Sequence, residues 1–322
     1  MYKNLLFIFI LSLSLSSFSQ EEIISFKDYY TLRLGISNSY NSFQINDQAE
    51  GNRFLISPNQ KIISTVTFLF RSVEIDIGYT PTFLKFNEDN DKRGKSKLFA
   101  LNLRGYLGRW MQSFDIYKTK GFYLADSNLD LPDGEIITLP DLKVFKIGGS
   151  TSYLFNNKFS FRAISFQNEW QTKSSGSFIP SLSYYFTKFS DNTSESSTFF
   201  DVSIGPSYYY NWVLHKHFLL SVGGSTGIGL NISTTKYEDK SFNQKLTSVA
   251  YDLVGRTAIG YNSDRFYTGV TTNFNLFFHK VDRYSRIEDE QIFMEFYIGY
   301  RFKAPKSWLK AADKINKKFG LD

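Results

Sequence analysis

Residues 73–80 read Val73-Glu74-Ile75-Asp76-Ile77-Gly78-Tyr79-Thr80. In an extended chain Val73, Ile75, Ile77 and Tyr79 share one face, and Glu74, Asp76, Gly78 and Thr80 share the other. Two carboxylates on so apolar a strand need a wet or ion-paired inner side, while the opposite side must meet an apolar medium. The same alternation returns at roughly 29–45, 61–70, 97–109, 112–124, 143–155, 158–187, 198–211, 218–232, 246–261, 265–278 and 291–302. In the last of these, Ile292, Met294, Phe296, Ile298, Tyr300 and Phe302 oppose Glu295, Gly299 and Arg301. Small and polar residues occupy one side throughout. A soluble sandwich would alternate in the same way, but here aromatics make up 18% of the chain, with 33 Phe and 21 Tyr. That density suits a lipid-facing band with interfacial girdles. The reading is all-β: a transmembrane antiparallel β-barrel of about twelve strands.

The ends of the chain agree with an exported protein. Lys3, the apolar run Leu5–Leu15 and the small residues Ser17 and Ser19 predict a signal peptide over residues 1–19. There is no cysteine, which excludes disulfides, thiol chemistry and a lipoprotein-type anchor. No later run approaches the length of a membrane helix, and mean hydropathy is only -0.27. No Pro- or Ser-rich linker divides residues 20–302, which read as one barrel domain. Residues 303–322 hold six Lys and two Asp, and the barrel is close to neutral. A nucleic-acid binder would carry a basic stripe across its fold, so that class is excluded.

Connections give the orientation. Short turns are expected at Arg71-Ser72, Asn156-Asn157 and Asn262-Ser263-Asp264, and long polar loops at 46–60, 86–96, 125–142, 188–197, 233–245 and 279–290. Outer-membrane barrels keep short turns in the periplasm and long loops outside. The two kinds alternate here if 158–187 is a single crossing, and twelve strands keep both chain ends periplasmic. So long a segment must then kink, bulge or project. After Pro305, residues Trp308, Leu309, Ala312, Ile315 and Phe319 fall on one helical face, with Lys310, Lys314, Lys317 and Lys318 elsewhere. A short amphipathic helix is expected on the periplasmic side, lying on the inner leaflet as an anchor, packed beneath the barrel mouth, or serving only as a solubilising tail.

The segment Tyr153-Leu-Phe-Asn-Asn-Lys-Phe-Ser-Phe-Arg-Ala163, followed by Gln167, Glu169, Gln171 and Lys173-Ser-Ser-Gly-Ser-Phe178, resembles the signature of an uncharacterised outer-membrane family, domain-of-unknown-function family 4421. Tyr117–Tyr123 and Pro58-Asn59 are similar to two further marks of that family. The resemblance runs over about residues 27–302 and implies a barrel without an assigned substrate. The basic helix after residue 302 has no counterpart in it.

Several polar constellations compete for a role. Arg162, Gln167, Glu169, Gln171 and Lys173 form the densest polar run, and a bulge near Ser165 would aim the later members inward. They read as a pore constriction or, with more weight, as an internal salt-bridge network that plugs the barrel. Inward by phase are also Arg33, Glu74, Asp76, Arg104, Asp115, Asp201, Asp252, Arg256, Glu295 and Arg301, of mixed sign. An outer-membrane acyl hydrolase would need a Ser nucleophile paired with a His base. Only His215, His217 and His279 exist, and none lies near Ser174, Ser175 or Ser177 in sequence. Two imidazoles at His215 and His217 are too few for a metal site, and the acids of the 125–141 loop match no calcium-loop spacing. No cofactor is expected. The expected partners are outer-membrane lipids, with a small solute as a candidate. A narrow solute channel and a plugged structural barrel both remain open, with an acyl hydrolase or a surface binding or adhesion protein as alternatives.

Overall fold

The computed structural model of the chain describes residues 22–47, 51–59, 62–81, 90–127, 136–165, 168–280 and 285–319. The expected signal peptide, Gln167 and the centre of the acidic loop lie outside them. Among the described residues seventeen strands follow one another: β1 (Ile23–Ser25), β2 (Tyr29–Asp47), β3 (Asn52–Ser57), β4 (Ile62–Phe70), β5 (Val73–Tyr79), β6 (Lys97–Leu107), β7 (Trp110–Ser127), β8 (Thr138–Tyr153), β9 (Glu169–Gln171), β10 (Ser175–Phe178), β11 (Ser181–Ser190), β12 (Ser196–Gly205), β13 (Ser207–Leu214), β14 (Phe218–Lys236), β15 (Gln244–Asn262), β16 (Phe266–Lys280) and β17 (Ser285–Lys303). Among the described residues three α-helices accompany them: α1 (Asn90–Arg93), α2 (Phe161–Ser165) and α3 (Lys306–Phe319).

The sheet closes on itself. Antiparallel pairings run β14–β12–β11–β8–β7–β6–β5–β4–β2–β17–β16–β15 and return to β14, a ring of twelve strands. Closure removes the free edges that a flat sheet would expose in lipid. In β5 the alternation appears as read: Val73, Ile75, Ile77 and Tyr79 are exposed, and Glu74, Asp76 and Gly78 are buried. Leu34 is 59% exposed, and Ile204, Ile228 and Met294 are likewise exposed on their own strands. A continuous apolar band therefore circles the ring, and the protein is an outer-membrane barrel.

Two adjacent crossings are broken by proline. Pro180 separates β10 from β11 and Pro206 separates β12 from β13. Proline cannot donate to a ladder, so each crossing bends and resumes. Bonds across the breaks, from Ile179 N to Ser207 O (2.9 Å) and Thr226 N to Pro206 O (3.3 Å), keep the wall continuous.

Residues 158–187 contribute one crossing, β10 with β11, and the expected projection is the insert 156–174, which leaves the wall. Four expectations are corrected. No bulge near Ser165 redirects a strand, because Phe161–Ser165 is the short helix α2. Asn156-Asn157 is accordingly not a hairpin turn but the entry to this insert. The 46–60 stretch is not all loop, since β3 pairs with β2 on one side and β7 on the other. The 233–245 and 279–290 loops are shorter than expected, because β14 to β17 run on past the apolar band and leave only 237–243 and 281–284 as their long-loop connections.

β3 also changes the girth of the ring. It stands where β4, β5 and β6 have already ended, so the twelve-strand ring narrows to ten at the long-loop end.

Candidate functional site

The lumen is built in three levels. At the short-turn end the insert 156–174 folds inward. Ser160 caps α2, its Oγ accepting from Ala163 N at 2.9 Å, as small hydroxyl residues do at helix starts. Phe159 and Ile164 of the insert are buried with wall residues Tyr209, Leu219 and Ala258 and with Ile179 beside Pro180. Phe161 adds to this core and reaches the neighbouring pair Leu69 and Tyr106. Strand β9 of the insert pairs with β1, setting Ile23 opposite Gln171 and Ser25 opposite Glu169. The residues just before the first wall strand thus belong to the same stopper.

Polar side chains tie that stopper together and to the wall. Arg162 donates to Glu169 Oε1 at 3.0 Å and to the Arg71 carbonyl in the β4–β5 turn. The Ser160 hydroxyl donates to Glu169 Oε2 at 2.5 Å. Asn211 of β13 donates to both Ser160 O (3.0 Å) and Gln171 Oε1 (2.8 Å). Wall arginines cover its aromatic rings: Arg256 lies 5.2 Å from the Phe161 centroid and Arg301 3.8 Å from that of Phe26. Arg301, only 1% exposed, also donates to Asn262 Oδ1 at 2.7 Å and Ser263 O at 2.5 Å. Trp170 Nε1 donates to Lys216 O at 2.6 Å.

The middle level is a charge network along one side of the wall. Glu74 and Arg104 are cross-strand partners at 3.3 Å. Arg33 reaches Asp76 at 3.7 Å and Glu295 at 3.5 Å, and its Nε donates to Thr67 Oγ1 at 3.1 Å. The Thr65 hydroxyl donates to Glu295 Oε1 at 2.5 Å. This bond requires a glycine next to it: a Cβ on Gly35 would stand 2.1 Å from Glu295 Oε1 and 2.2 Å from Thr65 Oγ1. Opposite signs are neighbours here, so the field of a sign-segregated pore eyelet is absent from this network.

At the long-loop end, contacts span the lumen between strands that are not wall neighbours. Lys146 on β8 pairs with Asp289 on β17 at 2.8 Å, and His279 on β16 lies 4.0 Å from Asp201 on β12. Phe43 of β2 and Phe189 of β11 have ring centroids 4.8 Å apart, and Phe122 and Val144 complete that apolar layer. Outside it Lys120 sits 3.1 Å from Asp141.

The structure thus brings Arg162, Glu169 and Gln171 together with Arg256 and Arg301 in the stopper, and Glu74, Asp76, Arg104 and Glu295 in the middle network. Lys173 does not join either: it is exposed, 4.0 Å from Glu22. Sequence reading overlooked Asn211 and Phe26, which carry no charge signal, and the cross-lumen pair Lys146–Asp289. Ser174 accepts from Val213 N, Ser175 accepts from Asn156 Nδ2, and Ser177 bonds Asn156 N and Phe178 O. His217 Nδ1 is engaged by Asn262 O at 2.8 Å, its ring stacked between Trp170 and Tyr261. No Ser–His pair forms from these residues. Among the described residues no group of three or more His, Asp and Glu is placed to hold a metal ion.

The chain is similar to several outer-membrane barrels of solved structure. It shares 10% identity with the outer membrane protease OmpT from Escherichia coli, over 86% of this chain and 97% of that one, at a TM-score of 0.34. With the P. putida toluene transporter TodX the values are 8%, 86%, 91% and 0.30. With Ail, the attachment invasion locus protein of Yersinia pestis, they are 10%, 86%, 99% and 0.26. None of the activities in those names is transferred at such distances. No curated protein matches the sequence. The family model described as "Domain of unknown function (DUF4421)" matches residues 23–302, and the chain belongs to that family.

Proposed function

We propose that this outer-membrane barrel is closed by its own insert and serves as a plugged barrel, not as a standing pore. The observation that carries the reading is the seating of 156–174 inside the ring. Its apolar side chains pack on Tyr209, Leu219 and Ala258, and Arg162 and Glu169 satisfy each other beneath them. Interior charges that are paired and desolvated hold a fixed geometry and leave no free ion to attract a solute. The Lys146–Asp289 pair crosses the same lumen at its other end and supports the same reading. The short-turn end, which carries both ends of the described chain, is the periplasmic side.

Planar-bilayer recording tests it. Tyr153 and Phe155 already bond Pro180 and Phe178, at 3.1 and 3.2 Å, so a two-residue turn can replace residues 157–173 without opening the wall. The intact protein should leave the bilayer silent, and the deletion combined with Lys146→Ala and Phe189→Ala, which clear the long-loop end as well, should give discrete conductance steps. A step of the same size from the intact protein would establish the narrow solute channel instead.

A further inference from the structure

Helix α3 does not hang free below the barrel. Trp308 packs on rings of the lipid-facing wall, with centroid distances of 5.5 Å to Tyr30, 6.2 Å to Phe68 and 5.8 Å to Phe70. These rings lie on the outward faces of β2 and β4, at the short-turn edge of the apolar band. Ala304 N bonds Asp28 O at 2.9 Å and fixes the exit of the chain. Asp313 pairs with Arg71 of the β4–β5 turn at 2.7 Å. The helix therefore lies along the outside of the rim, where the apolar band gives way to headgroups.

Its faces divide accordingly. Leu309, Ala312 and Asn316 are half-buried toward the barrel. Trp308 and Ile315, 43% and 54% exposed, continue the apolar band outward. The Phe319 side chain lies outside the description. Lys306, Lys310, Lys314 and Lys317 are exposed on the remaining arc. Asp313, the one acid of the helix, pairs with Arg71.

We propose that α3 is a binding element for anionic phospholipid headgroups of the leaflet at this rim. An amphipathic helix with its apolar edge at bilayer depth and a lysine-rich outer arc gains affinity from each anionic headgroup it gathers. Continuity with the lipid-facing band and the sign of the arc select lipid over a soluble protein partner. The proposal does not depend on whether the lumen is plugged.

The test places the full-length protein in phosphatidylethanolamine nanodiscs, with and without a third of the lipid replaced by phosphatidylglycerol. Chymotryptic cleavage after Trp308 and Leu309 is followed by mass spectrometry. The anionic discs should slow cleavage about tenfold, and high salt should abolish the difference by screening. The triple change Lys310→Gln, Lys314→Gln and Lys317→Gln should remove the lipid dependence while the unheated gel band stays compact. Equal cleavage in the two lipids would overturn the proposal. So would equal protection by inorganic phosphate in the phosphatidylethanolamine discs, which would mark a simple anion site.

Discussion

The Arg301 guanidinium covers the Phe26 ring at 3.8 Å, so the last wall strand grips the segment that leads into the first. Phe26 in turn bonds Asn168 of the insert, its N donating to Asn168 O at 3.1 Å. One buried cation thus links the seam of the ring to the stopper. Arg301→Ala removes the cation–π contact and the bonds to Asn262 and Ser263, an expected loss of about 2–3 kcal/mol. It should appear as a lower urea midpoint for conversion of the compact gel band, together with faster proteolysis near residue 26. An unchanged midpoint would remove Arg301 from this role.

Breaking the stopper from within should act locally. Arg162→Ala leaves Glu169 with one bond fewer and frees the Arg71 carbonyl. Amide exchange over 157–173 should accelerate about tenfold, for a local cost near 1.4 kcal/mol. Exchange in β14 to β17 should stay as it was. Uniform acceleration around the ring would instead make Arg162 a global stability residue.

Gly35 and Gly105 make a matched pair. A methyl group on Gly35 meets Glu295 and Thr65, whereas one on Gly105 meets nothing within 4 Å. Gly35→Ala is expected to cost about 2 kcal/mol, in the range for forced overpacking, and Gly105→Ala close to nothing. Equilibrium unfolding from lipid vesicles checks the difference, and equal effects would show that the Thr65–Glu295 contact tolerates displacement.

Leu34 separates lipid from water. On the surface of a soluble protein, Leu34→Arg would be harmless or helpful. Facing hydrocarbon, it should cost about 2–4 kcal/mol, depending on depth. Vesicle-embedded unfolding gives the number, and a neutral result would take the apolar band out of the membrane.

The ring was legible because alternation is strict wherever one side meets lipid. Boundaries such as 29–45 against Tyr29–Asp47, or 265–278 against Phe266–Lys280, differ by only a few residues. The stopper was not legible as a shape. Phe159, Phe161 and Ala163, followed by Gln167, Glu169 and Gln171, keep a two-residue period across a stretch that includes the helix Phe161–Ser165. A five-residue helix is too short to impose its own period. The Ser160 cap, together with Asn156-Asn157, was the available hint. β3 was missed because Phe54, Leu55 and Ile56 form a continuous apolar run with no alternation, inside a polar surround. Its partners are supplied only by the staggered ends of β4, β5 and β6.

Joining of β2 to β17 has a consequence for biogenesis. Phe26 and Arg301 stand at opposite extremes of the polypeptide, and their meeting awaits the closing of the seam. Contacts so remote in sequence form late, after the loop entropy between them has been spent. The stopper is therefore fastened last, and a cylinder stalled before its seam would sit in the envelope uncorked.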